Sequence, residues 1–235
     1  MKRFFHSELE QFRSNLLLMG ERCIEVVRFA SRALMESNVD FAKSVLNKDD
    51  AIDQLEVVID AEAIRYISMR GPVARDLRLL TVGMKAAHDL ERVGDEATSI
   101  ARRVLKLDAG LPIKDFLGIP AMVSLTLDML RDSIDSFIDG DAEMAAAIPM
   151  RDKEVDRLHK QNYATLTEMI RQDPSKVTAC LDLIFISKSL ERIADHASNI
   201  SEEVVFLYKA EDIRHSTSVK EAKAQTREED PEQGA

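Results

Sequence analysis

The sequence predicts an all-α protein built as two tandem antiparallel three-helix bundles. Three features carry that expectation: composition, the placement of Gly and Pro, and an internal repeat. Of 235 residues, 45% are apolar but only 5% aromatic, Trp is absent, and Gly and Pro number 8 and 6. Strand formers and turn formers are both scarce, while Ala, Leu, Ile, Val, Glu, Lys and Arg dominate. The few breakers cluster at Arg70-Gly71-Pro72, at Ala109-Gly110 through Gly118-Ile119-Pro120, and at Asp173-Pro174-Ser175. Such clusters mark turns between helices.

Weaker breaks at Ser37–Asp40 and Asp139–Asp141 complete the punctuation, each supplying an N-cap residue to the helix that follows. Six helices result, spanning roughly 5–36, 40–70, 73–108, 119–138, 141–172 and 175–210. A helix of about 30 residues is about 45 Å long, and long helices with short connections pack as antiparallel bundles. The expected division is a first bundle over 1–110, a second over 111–213, and a tail over 214–235. The tail has no apolar period and is expected to be disordered.

The halves repeat at an offset of 100 residues. Asp89–Ala101 aligns with Ser189–Ser201, with six of 13 positions identical. The seam Ala86, Leu90, Val93, Ala97, Ile100, Val104, Leu107 matches Ile186, Leu190, Ile193, Ala197, Ile200, Val204, Leu207. Alternating steps of four and three indicate helices packed at a small angle. A duplicated three-helix unit accounts for both observations.

With 32 basic and 42 acidic residues the net charge is −10, which opposes nucleic-acid binding. No run of 18 apolar residues occurs, so no membrane insertion is expected, and the acidic N-terminal stretch does not read as a signal peptide. A cytoplasmic location is the expectation. Cys23 and Cys180 lie far apart and read as buried reduced thiols.

The carboxylates carry the chemistry. Glu91 and Asp95 are four apart and share a helix face, directed away from the apolar seam and outward. Glu191 and Asp195 repeat them. An antiparallel hairpin folded about Pro72 sets Asp53 level with Glu91 and Asp49 level with Asp95. Folding between Asp173 and Pro174 sets Asp156 level with Glu191 and Asp152 level with Asp195. Carboxylates near 6 Å apart repel by about 1–3 kcal/mol per pair. Arg92 and Arg192 offset some of that; bound cations would offset more. All-oxygen ligation favours divalent or iron-type ions, Mg²⁺, Mn²⁺, Ca²⁺ or iron, over thiolate zinc. A solvated acidic face is the competing reading of the same residues. His88 and His196 flank the motifs and read more simply as satisfied or exposed histidines. Asp156-x-x-His159 resembles half of a di-iron signature, without a second copy in the helical part. No phosphate loop, nucleophile elbow or Cys–His arrangement is present; the expectation is no enzyme.

Gly71-Pro-Val-Ala-Arg-Asp-Leu-Arg78, followed by Asp89-Leu-Glu-Arg-Val-Gly-Asp95 and its copy Leu190-Glu-Arg-Ile-Ala-Asp195, resembles the PhoU family of phosphate-signalling proteins. The resemblance spans about residues 5–210. The second copy lacks counterparts of Asp76, Leu77 and Arg78 after Pro174. The resemblance implies two three-helix bundles, usually dimeric, in a cytoplasmic accessory of the high-affinity ATP-driven phosphate importer. Its implied partners are the importer ATPase subunit and a membrane sensor histidine kinase, through which the phosphate-starvation response is repressed. It also implies metal clusters on Asp49/Asp53, Glu91/Asp95, Asp152/Asp156 and Glu191/Asp195. The alternatives are a metal-dependent carboxylate-cluster enzyme, or an accessory of an ion-driven phosphate carrier.

Overall fold

Residues 2–107, 118–211 and 213 are described by the computed structural model. They form α1 (Lys2–Glu36), α2 (Val39–Leu46), α3 (Asp49–Arg70), α4 (Ala74–Val104), α5 (Ile119–Asp139), α6 (Ala142–Ala147), α7 (Pro149–Gln172) and α8 (Val177–Lys209). A single 3₁₀ turn at Pro174–Lys176 precedes α8. Among the described residues there is no strand. The linker around residues 108–117 and the tail from 214 lie outside the described residues.

Two expected helices are each broken once. The span 40–70 divides at Asn47–Lys48, and the span 141–172 divides at Ile148. The second break has a plain cause. Pro149 lacks an N–H and cannot continue a helix running from Ala142, so it opens a new one at its first position. In the first half, Asn47 ends α2 and Asp49 starts α3. Both breaks have the same consequence: Asp49 and Asp152 fall in the first turn of their helices, where the helix dipole favours negative charge by about 0.3–1 kcal/mol.

The other boundaries follow local chemistry. Asn38 caps α2 by accepting from the N–H groups of Asp40 and Phe41, and Asp141 caps α6 by accepting from those of Glu143 and Met144. Gly71 and Gly140 end α3 and α5 in the left-handed region, at φ 55° and 71°.

In the first bundle α4 packs against α1, α2 and α3; in the second, α8 packs against α5, α6 and α7. Cys23 and Cys180 are both reduced and buried, as expected. The bundles join chiefly through α4 against α8, and their buried side chains form one continuous core. Polar contacts fix the register of that joint. Lys85 donates to Glu203 at 2.9 Å, His196 Nδ1 lies 2.8 Å from Asp89, Arg192 donates to Glu96 at 2.9 Å, and Arg103 to Asp182 at 2.9 Å. The helices are therefore antiparallel, with Gly94 facing the region of Ala194, its own equivalent in the repeat. An approximate two-fold axis through this contact relates the halves.

Candidate metal centre

The first acid cluster is built where the start of α3 meets the middle of α4. Asp49 and Asp53 come from α3, Glu91 and Asp95 from α4. Burial pushes the Asp49 carboxyl above its ordinary range, with Asp95 adding to the shift. Burial does the same to Asp53, reinforced by Asp49 and Asp95. Glu91 is raised by burial and then by Asp95 and Glu56. The four predicted residues are thus within electrostatic reach of one another. Arg92 lies 3.5 Å from Glu91 Oε2 and 3.7 Å from Asp95 Oδ2.

The second cluster repeats this on α7 and α8. Burial pushes Asp152 up to about 7, followed by the charges of Asp195, Asp156 and Glu191. Asp195 is raised by burial and then by Glu191. Lys188 donates to Glu191 Oε1 at 2.6 Å and also meets Oε2.

One expectation needs correction. Glu91 and Glu191 do not face outward: Glu191 is only 8% exposed and Glu91 is half-buried. The reason is that α4 and α8 are surrounded. The face opposite the α4–α8 joint is covered by α3 or α7, so a residue turned away from one seam turns toward another helix. The expected register is seen one turn along: Glu56, one turn beyond Asp53, stands level with His88 and near Glu91. One ligand atom from each of Glu56, His88 and Glu91 lies within 4.8 Å of the others, and His88 Nδ1 is 3.1 Å from Glu56 Oε1.

Glu56 and His88 were absent from the sequence-based set, yet folding about Pro72 pairs them too, one turn from Asp53 and Glu91. The same rule in the second half pairs His159 with Lys188. His159 Nδ1 lies 3.0 Å from Ser187 Oγ, and burial lowers its pKa while Glu191 opposes the shift.

These residues fit a metal ion on two grounds. Glu91 Oε2 and Asp152 Oδ1 are buried and accept no hydrogen bond, Glu91 Oε2 having the Arg92 guanidinium 3.5 Å away; a buried acceptor left so normally costs about 1–3 kcal/mol. The donor sets are carboxylate oxygens on two helices, joined in the first half by an imidazole, which suits hard or borderline cations. Asp49, Asp53, Glu91 and Asp95 would hold an ion in the first half, and Asp152, Asp156, Glu191 and Asp195 in the second. The ion would supply positive charge and a link between helices. The chain's own part is to hold the carboxylates together and to place two of them at helix N-termini.

Comparison with known proteins matches residues 16–104 and 119–204 to the PhoU domain, one copy per bundle. The chain belongs to the PhoU family. A PhoU homolog of Pseudomonas putida, named a phosphate-specific transport system accessory protein, is 39% identical over 90% of this chain and 83% of its own length. The crystal structure of PhoU from Pseudomonas aeruginosa superposes with a TM-score of 0.85 at 37% identity, over 88% of this chain and 100% of that one. The phosphate transport system regulatory protein PhoU from Streptococcus pneumoniae gives a TM-score of 0.79 at 30% identity, over 88% of this chain and 98% of that one. Membership in PhoU places the chain among accessory regulatory proteins rather than enzymes. It fits the duplicated architecture and the position of both acid motifs within the matched segments. Among the described residues, no helix is long and apolar enough to cross a membrane.

Proposed function

We propose that this PhoU protein is a cytoplasmic regulator that couples an ATP-driven phosphate importer to a membrane sensor histidine kinase and holds the phosphate-starvation response off. The observation that carries the reading is a family match to both repeats, with relatives of nearly the same extent named as accessories of phosphate-specific transport. Coupling would proceed through protein contacts with the importer's ATPase subunit and the kinase, and a homodimer would present two copies of each surface. The acid clusters bear on this role structurally. A cation bridging α3 to α4 and another bridging α7 to α8 would stiffen each bundle and fix the faces offered to partners.

Deletion of the gene tests the regulatory reading. Phosphate-starvation genes should stay expressed in phosphate-rich medium, and the wild-type copy should restore repression. Unchanged reporter output in a strain with no second copy of the family would overturn it. A variant with Glu191→Gln and Asp195→Asn, assayed in the same strain, reports whether the second cluster contributes.

A further inference from the structure

We propose that the outer face of α3 is the contact between two copies of this chain, paired antiparallel about a two-fold axis at Ala61. The proposal rests on the homodimer of the preceding reading and assigns its surface. α3 is apolar on two opposite faces. Ile52, Ile59, Ala63 and Tyr66 are buried in the first bundle. On the other side Val57 and Ile64 are 67% and 57% exposed, with Val58 and Ala61 exposed beside them. Steps of four and three, from 57 to 61 to 64, put these side chains on one stripe. Leu18 of α1 extends it. Asn15 donates to Glu62 and Arg70 to Glu8, which sets α1 antiparallel to α3 and brings the exposed Leu18 to the height of Val58.

The repeat supplies the control. Asp53 and Asp156 are equivalent, so the same face of α7 carries Lys160, Gln161, Ala164 and Thr167 at the places of Val57, Val58, Ala61 and Ile64. One half presents an ordinary polar surface. The other presents a contiguous apolar one, the mark of a protein contact rather than of scattered surface residues.

Charge says which partner fits. The exposed face of α3 is acidic at its start, with Asp50 and Asp53, and basic toward its end, with Arg65. Arg65 forms no ion pair with another described residue. A two-fold axis perpendicular to α3 reverses the second helix, which makes such a face complementary to itself. With the axis at Ala61, Ile64 of one copy meets Val58 of the other, and Gln54 meets Ser68. Arg65 lays its stem on Val57 and turns its guanidinium toward Asp53. The small side chain of Ala61 lets the helix axes approach to about 8 Å. A partner of uniform charge would match one end of this face and be repelled by the other.

The test is analytical ultracentrifugation of the full chain over a range of concentrations. Ile64→Glu and Arg65→Glu should each weaken the dimer at least tenfold, whereas Thr167→Glu, at the equivalent place in α7, should leave it unchanged. Ile64 and Arg65 are exposed, so both variants should fold as wild type does, and melting curves verify this. Cross-linking gives a second readout. An axis at Ala61 brings its two copies within the Cβ separation of about 3.5–4.5 Å that a disulfide spans. Ala61→Cys should therefore form a disulfide between copies under mild oxidation, and Ala164→Cys should not. The native Cys23 and Cys180 are buried and leave the background clean. A wild-type dimer that Ile64→Glu leaves intact, with no cross-link from Ala61→Cys, would overturn this surface and keep the homodimer. A wild-type chain that is monomeric at every concentration would overturn both and leave the stripe to a different protein partner.

Discussion

Glu91 and Glu191 hold equivalent places in the repeat, but the Glu91 side chain is 20% exposed and that of Glu191 only 10%. The neighbours differ accordingly. Glu91 lies among Glu56, His88 and Asp95 with Arg92 at its edge. Glu191 is capped by Lys188, and beside it the Asp152 carboxyl is pushed up to about 7. One backbone register therefore supports two solutions to the same charge problem. The repeated positions hold the acids together, and residues outside the motif decide how their charge is met.

The two central helices pack differently at Gly83, whose equivalent is Leu183. A Cβ on Gly83 would lie 2.4 Å from the Phe12 ring and 2.8 Å from Leu16. In the first bundle the Phe12 ring occupies the space that a side chain at position 83 would need. Gly83→Leu should cost about 3 kcal/mol, at the upper end of overpacking penalties, read as a lower urea midpoint. Adding Phe12→Ala should recover part of the loss. A stable Gly83→Leu protein would show the first bundle to be looser than described.

This packing also marks the limit of what the sequence told. The helix order, the duplication and all eight carboxylates were legible, because a 100-residue offset and a fixed fold point at each turn are properties of numbering alone. The break at Pro149 was passed over, the span 141–172 being taken as one helix. The burial of Glu191 was not legible. Helical geometry says which way a side chain leaves its helix, not which helix stands there. Glu56 and His88 obeyed the same pairing rule as the chosen acids; His88 was set aside as a satisfied or exposed histidine, and Glu56 with it.

The second difference between the clusters is their response to pH. Between the ordinary carboxylate range and about 7, folded Asp152 keeps a proton that the unfolded chain has released. The metal-free protein should therefore lose stability as pH rises through that window and level off above it. The raised carboxyls of Asp49, Asp53, Glu91 and Asp195 act in the same direction. Asp152→Asn should raise the metal-free melting temperature at pH 8 and flatten its fall between about pH 4 and 7. Because Asp152 is only part-buried, solvent screening limits the gain to about 1 kcal/mol, or about 2–4 °C for a chain of this size. Equal slopes in wild type and variant would remove Asp152 as the origin.

The smallest effect concerns the pseudo-two-fold axis. Gly94 meets Ile52, whereas its equivalent Ala194 belongs to the half where Val155 stands in the place of Ile52. A Cβ on Gly94 would come within 3.2 Å of Ile52 Cδ1, so helix propensity and crowding oppose each other. Gly94→Ala alone should change stability by less than about 0.5 kcal/mol. In an Ile52→Val background the same change should gain up to about 1 kcal/mol. A gain that is equal in both backgrounds would mean that the two residues do not press on each other.

The account's central claim is that each bundle holds a cation on its own acid cluster. It is tested most directly by elemental analysis and thermal melts of the metal-free chain with and without Mg²⁺, Mn²⁺ and Fe²⁺. The comparison includes Glu91→Gln with Asp95→Asn, and Glu191→Gln with Asp195→Asn. At a hundredfold excess over Kd, a bound ion stabilises by about 2.7 kcal/mol. The wild type should bind at two separable sites, and each double variant should lose one and keep the other, with a correspondingly smaller metal-induced rise in melting temperature. No bound metal and no shift with any of the three ions would contradict the claim and leave the eight carboxylates as charged faces held together by their neighbours.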